Sequence, residues 1–324
     1  MTDPAVRLDP AVSLAGVTFR GPVFTASGCA AAGRELAPYL DLGTLGGVVT
    51  KSVMRAPRAG RPTPRMAETA SGMLNSIGLQ GPGIEAFLAG DLPWLAERGI
   101  AAVVSIAGHS AQEYGELASR FRGAPGLAML EVNISCPNVE SRGQVFACSA
   151  AGAADVMAAV RREIDVPVFA KLSPDVTDIV DIARSCVAAG ADGLSVINTL
   201  LGVAIDTRTL RPVLSAVTGG LSGPAIKPVA LRCVWQVHAA LPTVPILGMG
   251  GIRSGLDALE FLLAGASAVS VGTAIFADPG APARVQCELL TALAARGFGA
   301  VAEAVGVAHG LTAPREVVAY GDEL

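Results

Sequence analysis

Eight short runs rich in Val, Ile, Leu and Ala recur along the chain, at residues 22–28, 46–53, 101–108, 127–136, 166–173, 193–199, 245–251 and 268–275. Most are apolar on both faces, as a strand must be when helices cover it from above and below, and that is the condition of parallel strands in α/β proteins. Between them, residues 84–98, 111–122, 150–164, 177–189, 225–240 and 254–264 carry helical periodicity. In the fourth of these segments Asp178, Asp181 and Arg184 fall on one face, opposite Ile179, Ile182 and Ala183. Eight such β/α units predict a closed (β/α)8 TIM barrel, ahead of a doubly wound open sheet, and a single domain over residues 1–324. Long loops are expected after strands 2, 4 and 6. The segments 54–83 and 200–223 are too long for simple turns, and both follow the strand ends where barrel enzymes build their sites, so they are candidate walls or lids.

Composition narrows the class of ligand. Mean hydropathy is +0.51, yet no stretch approaches the roughly 18–20 apolar residues that span a bilayer, so no membrane partner is expected. The first seven residues carry acid and proline rather than a basic segment followed by an apolar one, so a cytoplasmic protein is expected. A net charge of −4, 4% aromatics and no basic stripe argue against nucleic acid. The partner is expected to be a small molecule. Cysteines at 29, 136, 148, 186, 233 and 287 form no Cys-x-x-Cys pair and no Cys/His cluster, so no metal site is expected. Cys186 and Cys233 fall in helical apolar patterns and read as buried thiols.

Two scarce residue types point to one end of the barrel. Lys occurs only at 51, 171 and 227, and Asn only at 75, 133, 138 and 198. Lys51, Asn133, Lys171 and Asn198 lie at or near the C-terminal ends of strands 2, 4, 5 and 6, while Asn75, Asn138 and Lys227 lie in or just beyond the following loops. An ammonium is a compact charge that Arg does not replace, and Asn offers both a donor and an acceptor to a planar polar ligand. The same end carries Gly248-Met-Gly-Gly251 and Gly272-Thr273, where bare backbone N–H groups approach phosphate, although turn glycines would look alike. Cys136, in Asn133-Ile-Ser-Cys-Pro-Asn138, is either an inert buried thiol or, on a ligand face, a proton-transfer base.

Taken in order, Met73-Leu-Asn-Ser-Ile-Gly-Leu79, Asn133-Ile-Ser-Cys-Pro-Asn138, Lys171-Leu-Ser-Pro174, Ile197-Asn-Thr199, Gly219-Gly-Leu-Ser-Gly-Pro-Ala-Ile-Lys-Pro228, Gly248-Met-Gly-Gly-Ile252 and Val271-Gly-Thr273 resemble the class 1 dihydroorotate dehydrogenases. The likeness is strongest to the catalytic subunits of the NAD-linked 1B class. It implies an FMN-containing barrel that oxidises dihydroorotate to orotate in pyrimidine biosynthesis. Under it Cys136 is the catalytic base, and Lys51 touches both flavin and anionic substrate. Ala26, Ser27, Gly28, Ser52, Ser105, Asn133, Ile197, Ser222, Gly223, Gly250, Gly251, Gly272 and Thr273 join Lys51 around the flavin, and Lys171 lies near its N1/O2 edge. Asn75, Asn133, Asn138, Asn198, Thr199 and the backbone of Ile77, Gly78 and Leu79 hold the substrate.

The resemblance also implies a homodimer core and a separate electron-transfer subunit carrying FAD and a [2Fe–2S] cluster. Several positions depart from the family pattern: Ser105, Gly81 and Ile275 each stand where Asn is expected, and Ser141-Arg142-Gly143 replaces a glycine pair. The segment after Cys136 faintly resembles dihydropyrimidine dehydrogenases, so reduction of a neutral uracil-type ring is a second reading. A Schiff-base aldolase using Lys171 and a non-catalytic paralogue are others.

Overall fold

The computed structural model describes residues 8–134 and 149–310. Eight parallel strands close into a barrel: β1 Val23–Thr25, β2 Gly47–Val49, β3 Ala102–Ile106, β4 Leu127–Asn133, β5 Val168–Leu172, β6 Gly193–Val196, β7 Ile246–Met249 and β8 Ala268–Val271, in the cyclic order β6-β7-β8-β1-β2-β3-β4-β5. Most strands are shorter than the apolar runs that announced them. In β1, for example, the strand stops at Thr25, the Ala26 N–H still donates to Val271 O at 2.7 Å, and Ser27-Gly28 run on to the barrel mouth.

Side chains two residues apart share a face, so each strand sends alternate residues inward. Phe24 and Phe169 are fully buried, and glycines on adjacent strands make room for their rings. A Cβ on Gly47 would stand 3.2 Å from the Phe24 ring, and one on Gly193 would strike Phe169. An N-terminal hairpin, Val12–Leu14 with Val17–Phe19, packs on the barrel through Phe19, whose ring meets Phe24 edge-on at 5.0 Å.

Outer helices are α1 Leu92–Glu97, α2 Ala111–Ser119, α3 Ala150–Arg161, α4 Ile179–Ala188, α5 Lys227–Ala240, α6 Gly255–Leu263 and α7 Ala281–Ala294. The stretch 84–98 is not one uniform helix. Ile84–Ala86 runs into a wide turn, Phe87–Asp91, before α1 begins. Pro93 at the start of α1 has no N–H to donate to the preceding turn, which accounts for the widened winding before it. Helix α7, absent from the sequence reading, packs against α6 and β1. Cys186 and Cys233 are buried free thiols, and burial pushes Cys186 up to about 12. No helix among the described residues is long and apolar enough to cross a membrane.

The two long segments do not stay separate. Met66–Thr69 and Gly72–Asn75 from the first pair with Leu200–Val203 and Thr218–Ser222 from the second in one antiparallel sheet, the 218–222 strand lying against the 72–75 strand. Ser215 ties the segments again, its N–H donating to Pro64 O at 2.8 Å and its hydroxyl to Pro62 O at 2.6 Å. Asp175, beyond β5, accepts the N–H of Leu201 at 3.1 Å.

Candidate active site

The strand ends and the antiparallel sheet enclose a cavity of about 960 Å³ at the C-terminal mouth of the barrel. Every described residue placed at the site from the sequence lies on its wall except Ser105 and Lys227. Cys136 and Asn138 lie outside the described residues, as does Arg142.

Each polar side chain is held from behind. Tyr114 on α2 donates its hydroxyl to the carbonyl of Asn133 at 2.7 Å. Asn133 donates Nδ2 to Ser52 Oγ at 3.1 Å, and Asn198 donates Nδ2 to Asn133 Oδ1 at 3.4 Å. The Asn198 N–H bonds Leu172 O at 2.8 Å, and its Oδ1 accepts the N–H of Thr199 at 2.8 Å. Asn75 reaches the same cavity from the sheet, with Nδ2 donating to Gly220 O at 3.3 Å. Lys51 is anchored through its N–H to Ala31 O at 2.8 Å. Thr273 donates to Ser222 Oγ at 2.8 Å and so joins the end of β8 to the sheet.

Ser105 corrects one expectation. It is fully buried and sits behind Ser52, with the two hydroxyls 2.9 Å apart, and it takes no part in the wall. The serine side chain reaches one atom less far than the asparagine expected there, so it supports Ser52 instead of reaching the cavity. Lys227 is a second correction, because the scarcity of Lys had placed it with the ligand-facing residues. Its ammonium lies 2.7 Å from Asp257 and 3.1 Å from Glu260, bracing the first two turns of α6. Its pKa is raised because, although partial desolvation opposes the charge most strongly, the bonds to the two carboxylates together outweigh it. Gly81 needs no glycine for steric reasons, since a Cβ there meets nothing within 4 Å, and Ile275 is packed into the core.

Two residues of the site went unnoticed in the sequence. Cys29 lies on the cavity wall and is half-buried. Burial pushes its thiol up to about 11, while Lys171 and Lys51 pull less strongly the other way. It is a neutral thiol at physiological pH. Glu131 is buried in β4 with Oε1 3.5 Å from Lys171 Nζ. A lone acid inside an otherwise apolar run was the signal that could have revealed it.

A parallel eight-stranded barrel with a cavity at its C-terminal strand ends defines the TIM-barrel class of enzymes. The family model described as dihydroorotate dehydrogenase matches residues 10–293, and the chain belongs to that family. The chain is 51% identical to the protein named dihydroorotate dehydrogenase B (NAD(+)), catalytic subunit, of Desulforudis audaxviator, over 94% of this chain and 99% of that one. It is 52% identical to the protein of the same name in Geotalea daltonii, over 92% of this chain and 97% of the relative. Among solved structures, DHODH from Eimeria tenella in complex with ferulenol superposes with a TM-score of 0.78 at 26% identity, covering 93% of this chain and 89% of that one.

Proposed function

We propose that the chain is the FMN-dependent catalytic subunit of an NAD-linked dihydroorotate dehydrogenase, converting dihydroorotate to orotate in pyrimidine biosynthesis. One observation carries the reading: two lysines, three asparagines and a glycine cradle converge on a single cavity in a chain that matches this family over most of its length.

The backbone fits a flavin phosphate. Gly250 and Gly251 have φ of +132° and +80°; a Cβ on the first would stand 2.7 Å from Ala230 Cβ, and one on the second 2.9 Å from Gly223 O. No side chain can stand there, so bare backbone, the surface on which an anion can be held, is left at the cavity wall. Ser270 adds a buried hydroxyl, without a hydrogen-bond partner among the described residues, on the same wall. Ala26, Ser27, Gly28, Ser52, Ile197, Ser222, Gly223, Gly272 and Thr273 complete the flavin contacts. When bound, FMN supplies the acceptor for the hydride that leaves the substrate.

Making the ring double bond also requires a proton to leave the neighbouring carbon, and the Cys136 sulfur takes it. Asn75, Asn133, Asn138 and Asn198 orient the ring through its amide groups, with Thr199 and the backbone of Ile77, Gly78 and Leu79 beside them. Lys51 attracts the substrate carboxylate, which a uracil-type ring lacks. A Schiff base at Lys171 is disfavoured because that ammonium is paired with Glu131, and the named relatives lend neither alternative support. A separate subunit carrying FAD and a [2Fe–2S] cluster, a homodimeric core and a cytoplasmic setting complete the proposal.

Anaerobic dihydroorotate should bleach the flavin absorbance of the purified holoprotein, and orotate should reoxidise it where uracil does not. Cys136→Ala should keep FMN bound and slow reduction by roughly a hundredfold or more, the usual scale of a lost general base. An unaffected rate removes Cys136 from the mechanism.

A further inference from the structure

Glu131 has no solvent exposure, and nothing in an apolar barrel strand calls for it. A buried ion pair is often no more stable than well-packed hydrocarbon of the same shape, so its presence asks for a reason other than stability. It stands two residues before Asn133 in β4, on the inner face, one strand away from Lys171. The Lys171 ammonium lies 3.5 Å from Glu131 Oε1 and 3.4 Å from Ser27 Oγ. Both contacts are long, so the ammonium is shared between Glu131 and Ser27.

Their order matters. Lys171 and Ser27 are on the cavity wall and Glu131 is not, which puts the anion behind the cation as the cavity meets them. Among the described residues no donor reaches Glu131 Oε2. The hydroxyl of Ser195, whose residue pairs with Lys171 in the β5–β6 register, is likewise without a partner. The cavity floor is therefore a polar stratum that sets one carboxylate beside one ammonium.

We infer that Glu131 is a positioning residue: it holds the Lys171 ammonium at the cavity floor and, as a fixed negative charge behind it, limits how strongly that ammonium favours negative charge on the ring in the cavity. The inference rests on the proposed flavin site.

The test uses full-length protein loaded with FMN, as wild type, Glu131→Gln, Lys171→Gln and the double variant. Sulfite is the probe: its sulfur lone pair forms a bond to flavin N5, and the ring takes up the negative charge. Removing a buried charge a few ångströms behind the ammonium should tighten sulfite binding roughly tenfold and raise the flavin midpoint potential. Lys171→Gln should weaken sulfite binding. In that background the Glu131→Gln effect should shrink to a small part of its former size, because the lysine that transmitted it is gone.

Unchanged sulfite affinity and potential in a Glu131→Gln variant that binds FMN normally would overturn the inference, as would an equal effect in both backgrounds. If the Gln variant does not fold, Glu131→Asp carries the test, since it draws the carboxylate back by one methylene and must shift sulfite binding in the same direction. No shift there also overturns it. Wild-type protein that fails to bind FMN in a fluorescence titration would instead refute the flavin site, an outcome the sulfite comparison cannot imitate.

Discussion

Inside the barrel, two layers one pleat apart do opposite things. Phe24, Val103, Met129 and Phe169 fill the lower layer with hydrocarbon; two residues further along the same strands stand Ala26, Ser105, Glu131 and Lys171, and above Glu131, Asn133. The lower layer closes the pore and stabilises the barrel. In the upper layer burial costs stability, because polar atoms of Glu131 and Ser195 go without hydrogen-bond partners among the described residues. Strand geometry is common to both layers, so the difference lies wholly in side-chain chemistry. Function is confined to the end of the strands where loops can enclose a ligand.

The sharpest test of this contrast is in the lower layer. Phe169→Ala should cost about 3–5 kcal/mol in denaturant unfolding, since glycine at 193 leaves no neighbouring side chain to fill the cavity. FMN affinity of the folded fraction should change little; a large loss would mean the layers are not independent. A smaller effect of the opposite kind is expected at the rim. Gly251→Ala introduces strain of about 1–3 kcal/mol at φ +80° and crowds the proposed phosphate cradle, so FMN should bind roughly tenfold or more weakly in a fluorescence titration while the barrel stays folded. The smallest effect is expected where the layers meet. Ser105→Ala removes the hydroxyl partner of Ser52 and should lower stability by about 1 kcal/mol, with at most a slight change in flavin absorbance. A strong loss of flavin would return Ser105 to the wall from which the structure removes it.

Much of this was legible because it is local. The strands were visible as runs apolar on both faces, and the ligand face as scarce Lys and Asn at their ends. Motif resemblance then gathered residues spread from Ala26 to Thr273 into one site. Ser105 and Lys227 were misplaced for a common reason: position at a strand end or beside a loop does not say how far a side chain reaches, or which carboxylate is waiting for it. Helix α7 was missed because the sequence reading stopped at the eighth strand.

The alternation that makes eight covered strands, and the residue types at their C-terminal ends, belong to the amino-acid sequence alone, because a pleat of period two and a helix of period 3.6 write themselves into neighbouring residues. The tertiary structure alone decided that the two long loops become one sheet, with Gly220 set against Asn75 across 145 residues, and that Glu131 faces Lys171 across 40. Contacts of that separation leave no local period to detect. They exist only once barrel closure has set the register and removed most of the entropy of bringing distant segments together.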